Sequence, residues 1–362
     1  MIYKIRDFLK NHAKDWPVKI PVGDSPVPLI RFNKEANGVV GAEEIGIVTF
    51  WFNGEHPSPC VVTKIMDASL SLEFIRESSL NQQRINRKIG CSVFPLIYDA
   101  VLIDDRPVIF QEPIESSNFE KDLIEAISGA QGNLKLLKEV VARHLGEMGN
   151  LFKLLQQVDS DSDISLGWGD WAYSKGKELK ENSGMNSMLI SDNVLDWMRN
   201  ELNHLPLRRS FVLADHNVAN FFEGPVVVDQ IDNTQLDRMR HEPCVLDGLL
   251  FLIAYFRTSP TNIVYKDWVP LLAGAVQDNS VSHEITKSIK GFFDNIGVGR
   301  YEPQQKWALV MLSFFMRAMD ELTFHKSNIF LLDRLRSDLE AVVVQLIAIR
   351  EEIVARKVFN VA

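Results

Sequence analysis

The stretch Phe211–Asn233, FVLADHNVANFFEGPVVVDQIDN, decides how the rest of the chain is read. An apolar run leads into Asp215, Asn220 follows five positions on, and three valines lead into Asp229, with Asp232 close behind. Aspartate and asparagine are poor strand residues and costly to bury. Their placement at the ends of FVL and VVV therefore predicts a polar site held at the mouths of a short apolar hairpin, with FFEGPVVV as its turn. The competing reading is that Asp215 and Asn220 are turn formers and helix caps.

Working upstream, VPLIRF (27–32), GIVTFWF (46–52) and PCVVTKIM (59–66) are rich in β-branched and aromatic residues and are separated by loop compositions. They predict an antiparallel meander. The next stretch, SLSLEFIRESSLNQQRINRKIG (69–90), has helical spacing, serines placed to cap it and a closing glycine. FPLIYDAVLIDDRPVIFQEPI (94–114) adds two strands around the turn DDRP, which makes a small sheet of five strands with one helix. Composition changes at Glu112–Ser117, dividing the chain into an N-terminal lobe, 1–114, and a C-terminal lobe, 115–362. The latter is helical by period almost throughout. The polar, glycine-bearing segment Asp159–Ser187, with Trp168, Trp171 and Tyr173, reads as a long loop between helices. The helices from Phe330 onward either close the core or dimerise, so the oligomeric state stays open.

With 362 residues and 46% hydrophobic content, the chain is long enough for two bodies. Its net charge of -9 and lack of long basic blocks argue against nucleic acid or an anionic membrane as partner. Cys60, Cys91 and Cys244 have neither disulfide-framework nor zinc-ligand spacing, as suits a reducing cytoplasm. The N-terminal MIYKIRDFLKNHAKDW carries charges throughout and has no secretion-type apolar run. The apolar stretch VLDGLLFLIAYF is too short to span a bilayer.

This order of elements resembles the protein-kinase-like fold, and more closely its aminoglycoside phosphotransferase and choline kinase branch, over roughly residues 27 to 260. The resemblance implies an α+β, bilobal fold: a small antiparallel five-stranded sheet with a helix as N-lobe, and a large, mostly helical C-lobe. It also implies transfer of the γ-phosphate of ATP or GTP to a hydroxyl of a small molecule, with Mg2+. Lys64 in CVVTKIM is similar to the strand lysine that meets the α- and β-phosphates; taken alone it also reads as a solvated strand-end lysine. EFIRESSL resembles the helix whose glutamate pairs with that lysine, with Glu77 in the best register and Glu73 one turn earlier.

LADHNVAN resembles the H-G-D-x-x-x-x-N loop. There Asp215 would orient the acceptor hydroxyl and take its proton, and Asn220 would hold magnesium. Asp229 is similar to the strand-end aspartate that completes the metal site, and Asp232 to a second acidic position after it. Asp247, in EPCVLDGLLFL, matches a helix-start aspartate that braces the loop. Glu112 and Ile114 would offer hinge backbone to an adenine edge, and Gly38 and Gly41 backbone donors to phosphate. The chain departs from the family at Leu213 in place of His, Ala214 in place of Gly, Val218-Ala219 in place of Pro-Gly, and a glycine turn without the full pattern. These departures support a second reading, a catalytically weak kinase-like protein that binds nucleotide and regulates or scaffolds. Trp168, Trp171, Tyr173 and the acids near them either wall an amine or sugar acceptor or anchor their segment to the body.

Overall fold

The computed structural model describes residues 1–17, 31–35, 44–50, 61–128, 134–158, 164–165, 167–209, 212–213, 215–224, 226–227, 243–277 and 283–360. The fold is mixed α+β and rich in helix. It separates into two compact units, Met1–Ser117 with Gly224–Leu236, and Asn118–Glu223 with Asp237–Ala362. The composition break near 114 sits beside the first crossing. The return of the chain from Gly224 to the first unit has no signal in composition; it is tied there by the Val227 N–H, which donates to Val93 O at 2.8 Å.

In the first unit, helix α1 (Ile2–His12) precedes strands β1 (Arg31–Glu35), β2 (Glu44–Phe50) and β3 (Val61–Met66). Helix α2 (Leu72–Ile89) and strands β4 (Ile97–Ile103) and β5 (Arg106–Gln111) follow. The strands pair antiparallel in the order β1-β2-β3-β5-β4. Strand alternation sends Val61 and Ile65 to one face and Lys64 and Met66 to the other. The first face meets Ile5, Leu9 and Ala13 of the α1 segment together with Ile103, Val108 and Phe110. Phe8 stacks on Phe110 at 5.1 Å and Trp16 on Tyr98 at 5.4 Å, closing that side. Opposite it, α2 sets Ile75 against Met66, Ala100 and Ile109. Each such buried aliphatic side chain contributes about 1.5–3 kcal/mol.

The limits of α2 follow from its ends. Ser71 Oγ accepts the Phe74 N–H at 3.1 Å, and Gly90 closes the helix at φ 71°. Between β4 and β5 the chain turns on Asp104 and Asp105, both left-handed at φ 53° and 61°. This is the geometry of a two-residue hairpin, and aspartate tolerates it better than most side chains.

The second unit holds α3 (Phe119–Ser128), α4 (Leu134–Leu155), the short β6 (Ile164–Ser165), α5 (Trp168–Asn182), α6 (Asp192–Asn203) and β7 (Leu207–Arg208). After the segment that carries Asp215 come α7 (Cys244–Arg257), α8 (Trp268–Gln277), α9 (Glu284–Ile296), α10 (Pro303–Phe324) and α11 (Ile329–Asn360). Every residue of α7 from Cys244 to Phe256 is buried, so this apolar helix is the spine of the unit rather than an amphipathic cover. Phe251 on α7 lies 6.2 Å from Phe292 on α9, with Phe152 on α4 against both. α11 turns Leu332, Leu339, Val343, Leu346 and Ile353 inward, and its Leu346 carbonyl accepts the indole N–H of buried Trp307 at 3.0 Å.

The segment read as a loop over Asp159–Ser187 is a correction: Trp168–Asn182 is a helix of 15 residues. Its glycines mark close helix packing rather than a chain break. A Cβ on Gly169 would lie 2.2 Å from Arg199 O, and one on Gly176 would lie 2.4 Å from Leu195 Cδ2, both on α6. The aromatics anchor the helix. Trp168 is buried under the Arg209 guanidinium at 5.0 Å, and Arg199 pairs with Asp170 at 2.5 Å while lying over the Tyr173 ring.

Candidate active site

Among the described residues between Val212 and Phe222, several polar groups bond to one another. Asp215 N–H donates to Leu213 O at 2.8 Å, and its Oδ1 accepts the Asn217 N–H at 3.0 Å. Asn217 then caps the 3-10 turn Val218–Asn220 through the Ala219 N–H at 3.2 Å. That turn brings the Asn220 side chain back to Asp215, where its Nδ2 donates to Asp215 Oδ2 at 2.7 Å. A carboxylate only accepts, which fixes the amide with nitrogen toward Asp215 and leaves Asn220 Oδ1 as an uncommitted acceptor at that contact. Asp215 is thus both a turn former and a carboxylate joined to Asn220.

A second carboxylate grips this loop on both sides of Asp215. Asp247, in the first turn of α7, accepts the Leu213 N–H on Oδ2 at 2.7 Å and the His216 imidazole Nε2–H on Oδ1 at 2.6 Å. Asp247 and His216 are each 4% exposed, so both hydrogen bonds are made in a dry setting where leaving either unmade is costly. Asp247 thus braces the loop, as its sequence position implies, whereas the part played by His216 is not legible in the family-like pattern.

Asn118 holds the loop from the other end. Its Oδ1 caps α3 by accepting the N–H groups of Glu120 and Lys121 at 2.9 and 3.2 Å, while its Nδ2 donates to Ala219 O. Asn118 also bridges to Phe222. Nearby, Arg143 on α4 joins Asp122 and Glu223, each at 2.6 Å. Its neighbour His144 is wholly buried, stacked on Phe119 at 3.8 Å. Burial pushes the His144 imidazole down to about 4 despite its hydrogen bond to Asp122, and Arg143 adds to the lowering. The neutral ring therefore donates Nε2–H to Asp122 and accepts from Tyr255 O–H on Nδ1, at 3.3 and 2.9 Å.

In the first unit, Lys64 is buried in β3, opposite Ile47 and Ile109, on the face that α2 covers. The pairing of Lys64 with Glu77 needs correction. The inward stripe of α2 is Ile75, Ser78, Ser79, Gln82 and Ile85, and Glu77, about half a turn from Ile75, is exposed, as is Glu73. The buried polar groups of α2 are therefore hydroxyls and a carboxamide, and among the described residues Ser78 Oγ has no hydrogen-bond partner. Arg76 fixes this rotation by donating Nε and Nη2 to Ala100 O at 3.1 and 2.8 Å.

Glu112 is engaged with Leu96, donating its N–H at 2.9 Å and accepting on Oε1 at 2.7 Å, and Ile114 is half-buried beyond the end of β5. The N–H of Glu112 is thereby taken. Gly38, Gly41, Asp229 and Asp232 lie outside the described residues. Of the implied magnesium ligands, Asn220 is the described one, and its carboxamide oxygen suits a hard cation. No group of three or more His, Cys, Asp or Glu side chains fit to hold a metal occurs among the described residues. Among those residues, too, no helix is long and apolar enough to cross a membrane.

No model of a known protein family matches the chain, and no curated protein matches it. Among solved structures, the crystal structure of a mutant kinase domain of Mycobacterium tuberculosis PknI is similar with a TM-score of 0.35 and 12% identity, over 75% of this chain and 94% of that chain.

Proposed function

We propose that the chain is a small-molecule kinase of the aminoglycoside phosphotransferase and choline kinase type, moving the γ-phosphate of ATP or GTP to a hydroxyl of an amino alcohol, aminoglycoside or sugar. The observation that carries the reading is the pair Asp215 and Asn220, five residues apart and joined at 2.7 Å, with Asp247 clamping the loop between them and α7. In this reading Asp215 orients the acceptor hydroxyl and takes its proton, a role worth about 10²–10⁴-fold in rate. Asn220 would hold Mg2+ through Oδ1 with Asp229, and the cation would neutralise charge on the phosphates. Lys64 would position the α- and β-phosphates. The carbonyl of Glu112 and the backbone of Ile114 would meet the adenine edge, and Gly38 and Gly41 would donate backbone N–H groups to phosphate.

A screen of amines, sugars and amino alcohols for ATP consumption, run on the natural chain and on Asp215→Asn, tests the proposal. The expected result is turnover with one acceptor class, abolished in Asp215→Asn while a magnesium-dependent ATP shift in Tm persists. Turnover at the normal rate in Asp215→Asn would overturn the assignment. The exposure of Glu77 favours the second reading, a catalytically weak kinase-like protein that binds nucleotide in a regulatory or scaffolding role. Its signature is the same ATP shift with no acceptor consumed.

A further inference from the structure

The second unit contains an open groove of about 640 Å³ bordered by His204, Arg208, Cys244, Val245, Arg300 and Tyr301, with no carboxylate among the described residues that line it. His204 and Arg208, four residues apart, are joined there by Arg300 from a distant part of the chain. Arg208 is half-buried on β7, and among the described residues its guanidinium makes no ion pair or side-chain hydrogen bond. Arg300 is held in place by its neighbour: its Nη2 donates to the Tyr301 hydroxyl at 2.8 Å and its guanidinium lies 5.0 Å from the Tyr301 ring centre, leaving further N–H donors. Tyr301 is itself buried, and its hydroxyl lies 3.4 Å from Pro206 O.

Cys244 and Val245 are the first two residues of α7, whose backbone N–H groups have no acceptor within the helix. Cys244 is only 3% exposed, and its thiol, pushed up to about 12 mainly by burial, brings no negative charge. Two guanidinium forks and a helix N-terminus around one cavity are the donor set for a tetrahedral oxyanion.

We propose that this groove binds phosphate, either as the free ion or as the head of a phosphomonoester, contacting Arg208, Arg300 and the start of α7. The site is distinct from the loop of Asp215, yet it touches the helix turn that carries Asp247, so its occupant stiffens the element that braces that loop. The proposal does not depend on the kinase reading.

Calorimetric titration with inorganic phosphate, and separately with glycerol 2-phosphate, at ionic strength matched by chloride, tests it. Saturable binding at one site is expected, weakened about tenfold or more by Arg208→Gln and by Arg300→Gln. Arg84→Gln, an exposed arginine on α2, is expected to leave it unchanged. Binding of the ester alone would identify the phosphomonoester as the ligand, and equal binding of both would identify the phosphate group. Hydrogen exchange under saturating phosphate is expected to slow in peptides covering Cys244–Asp247 and Gly297–Tyr301. No saturable binding to either probe, equal binding by Arg300→Gln, equal weakening by Arg84→Gln, or protection confined to other peptides would each overturn the proposal. Arg300 is exposed, so Arg300→Gln keeps the test decisive if Arg208→Gln fails to fold.

Discussion

Asp247 and His216 meet at 2.6 Å in a site where both are almost wholly buried, and the same carboxylate takes the Leu213 N–H, so one side chain holds the chain on either side of Asp215. Replacing Asp247 with Ala leaves two buried donors without an acceptor and is expected to cost about 3–5 kcal/mol. Asp247→Asn retains an acceptor oxygen and should cost clearly less. Urea midpoints of the two variants, with m unchanged, check the order. Equal costs would mean that the charge, rather than the hydrogen bonds, holds the loop.

His144 makes stability depend on pH. Its pKa in the folded chain is lowered from 6.5 to about 4 while Asp122, Arg143 and Tyr255 face it, so the folded state keeps the ring neutral where the unfolded chain would protonate it. The contribution is fully present above about pH 6.5 and is lost as pH falls toward 4, on the order of 3 kcal/mol in all. His144→Gln can donate to Asp122 and accept from Tyr255 without titrating. Between pH 6.5 and 4 it is expected to lose less stability than the natural chain by about that amount, read from urea unfolding at each pH.

Two helical glycines are expected to respond to alanine with opposite signs. Gly169→Ala forces a Cβ to within 2.2 Å of a backbone carbonyl on α6 and should destabilise by about 1–3 kcal/mol. Gly146, on α4, has nothing within 4 Å of a new Cβ, and Gly146→Ala should stabilise by about 0.5–1 kcal/mol. Calorimetric Tm values of both variants decide it.

The rotation of α2 gives a direct comparison. Glu77 is exposed, so Glu77→Ala is expected to change stability by no more than about 0.5 kcal/mol and to leave the magnesium-ATP shift in Tm intact. Lys64→Ala, removing a buried cation from the strand, should abolish that shift. A parallel loss of the shift in both variants would show that the helix rotates inward when nucleotide binds.

What the sequence disclosed here follows the range over which its signals act. Strands of the first unit stand out because β-branched runs are bounded by turn residues, and α2 because Ser71 and Gly90 mark its ends locally. Asp215 and Asn220 are legible because five-residue spacing is itself a local geometry. By contrast, the partner of His216 lies 31 positions away, and the partner of Asn118 lies 101 away, so nothing near either residue announces the contact. In α5 the local signal misleads: glycine reads as a loop former, whereas Gly169 and Gly176 are needed by a neighbouring helix that only tertiary structure supplies. Glu77 misleads for a related reason, since a match in register says nothing about which way the helix is turned.

The bond from Val227 to Val93 bears on how this chain can be taken apart. A fragment cut after Ser117 would lose the late stretch from Gly224 onward that belongs to the same body. The N-terminal part is therefore not a cassette that recombination can exchange at one splice point. A chimera that swaps it must transplant two discontinuous stretches together, and one that moves only the first should express as an incomplete, protease-sensitive product.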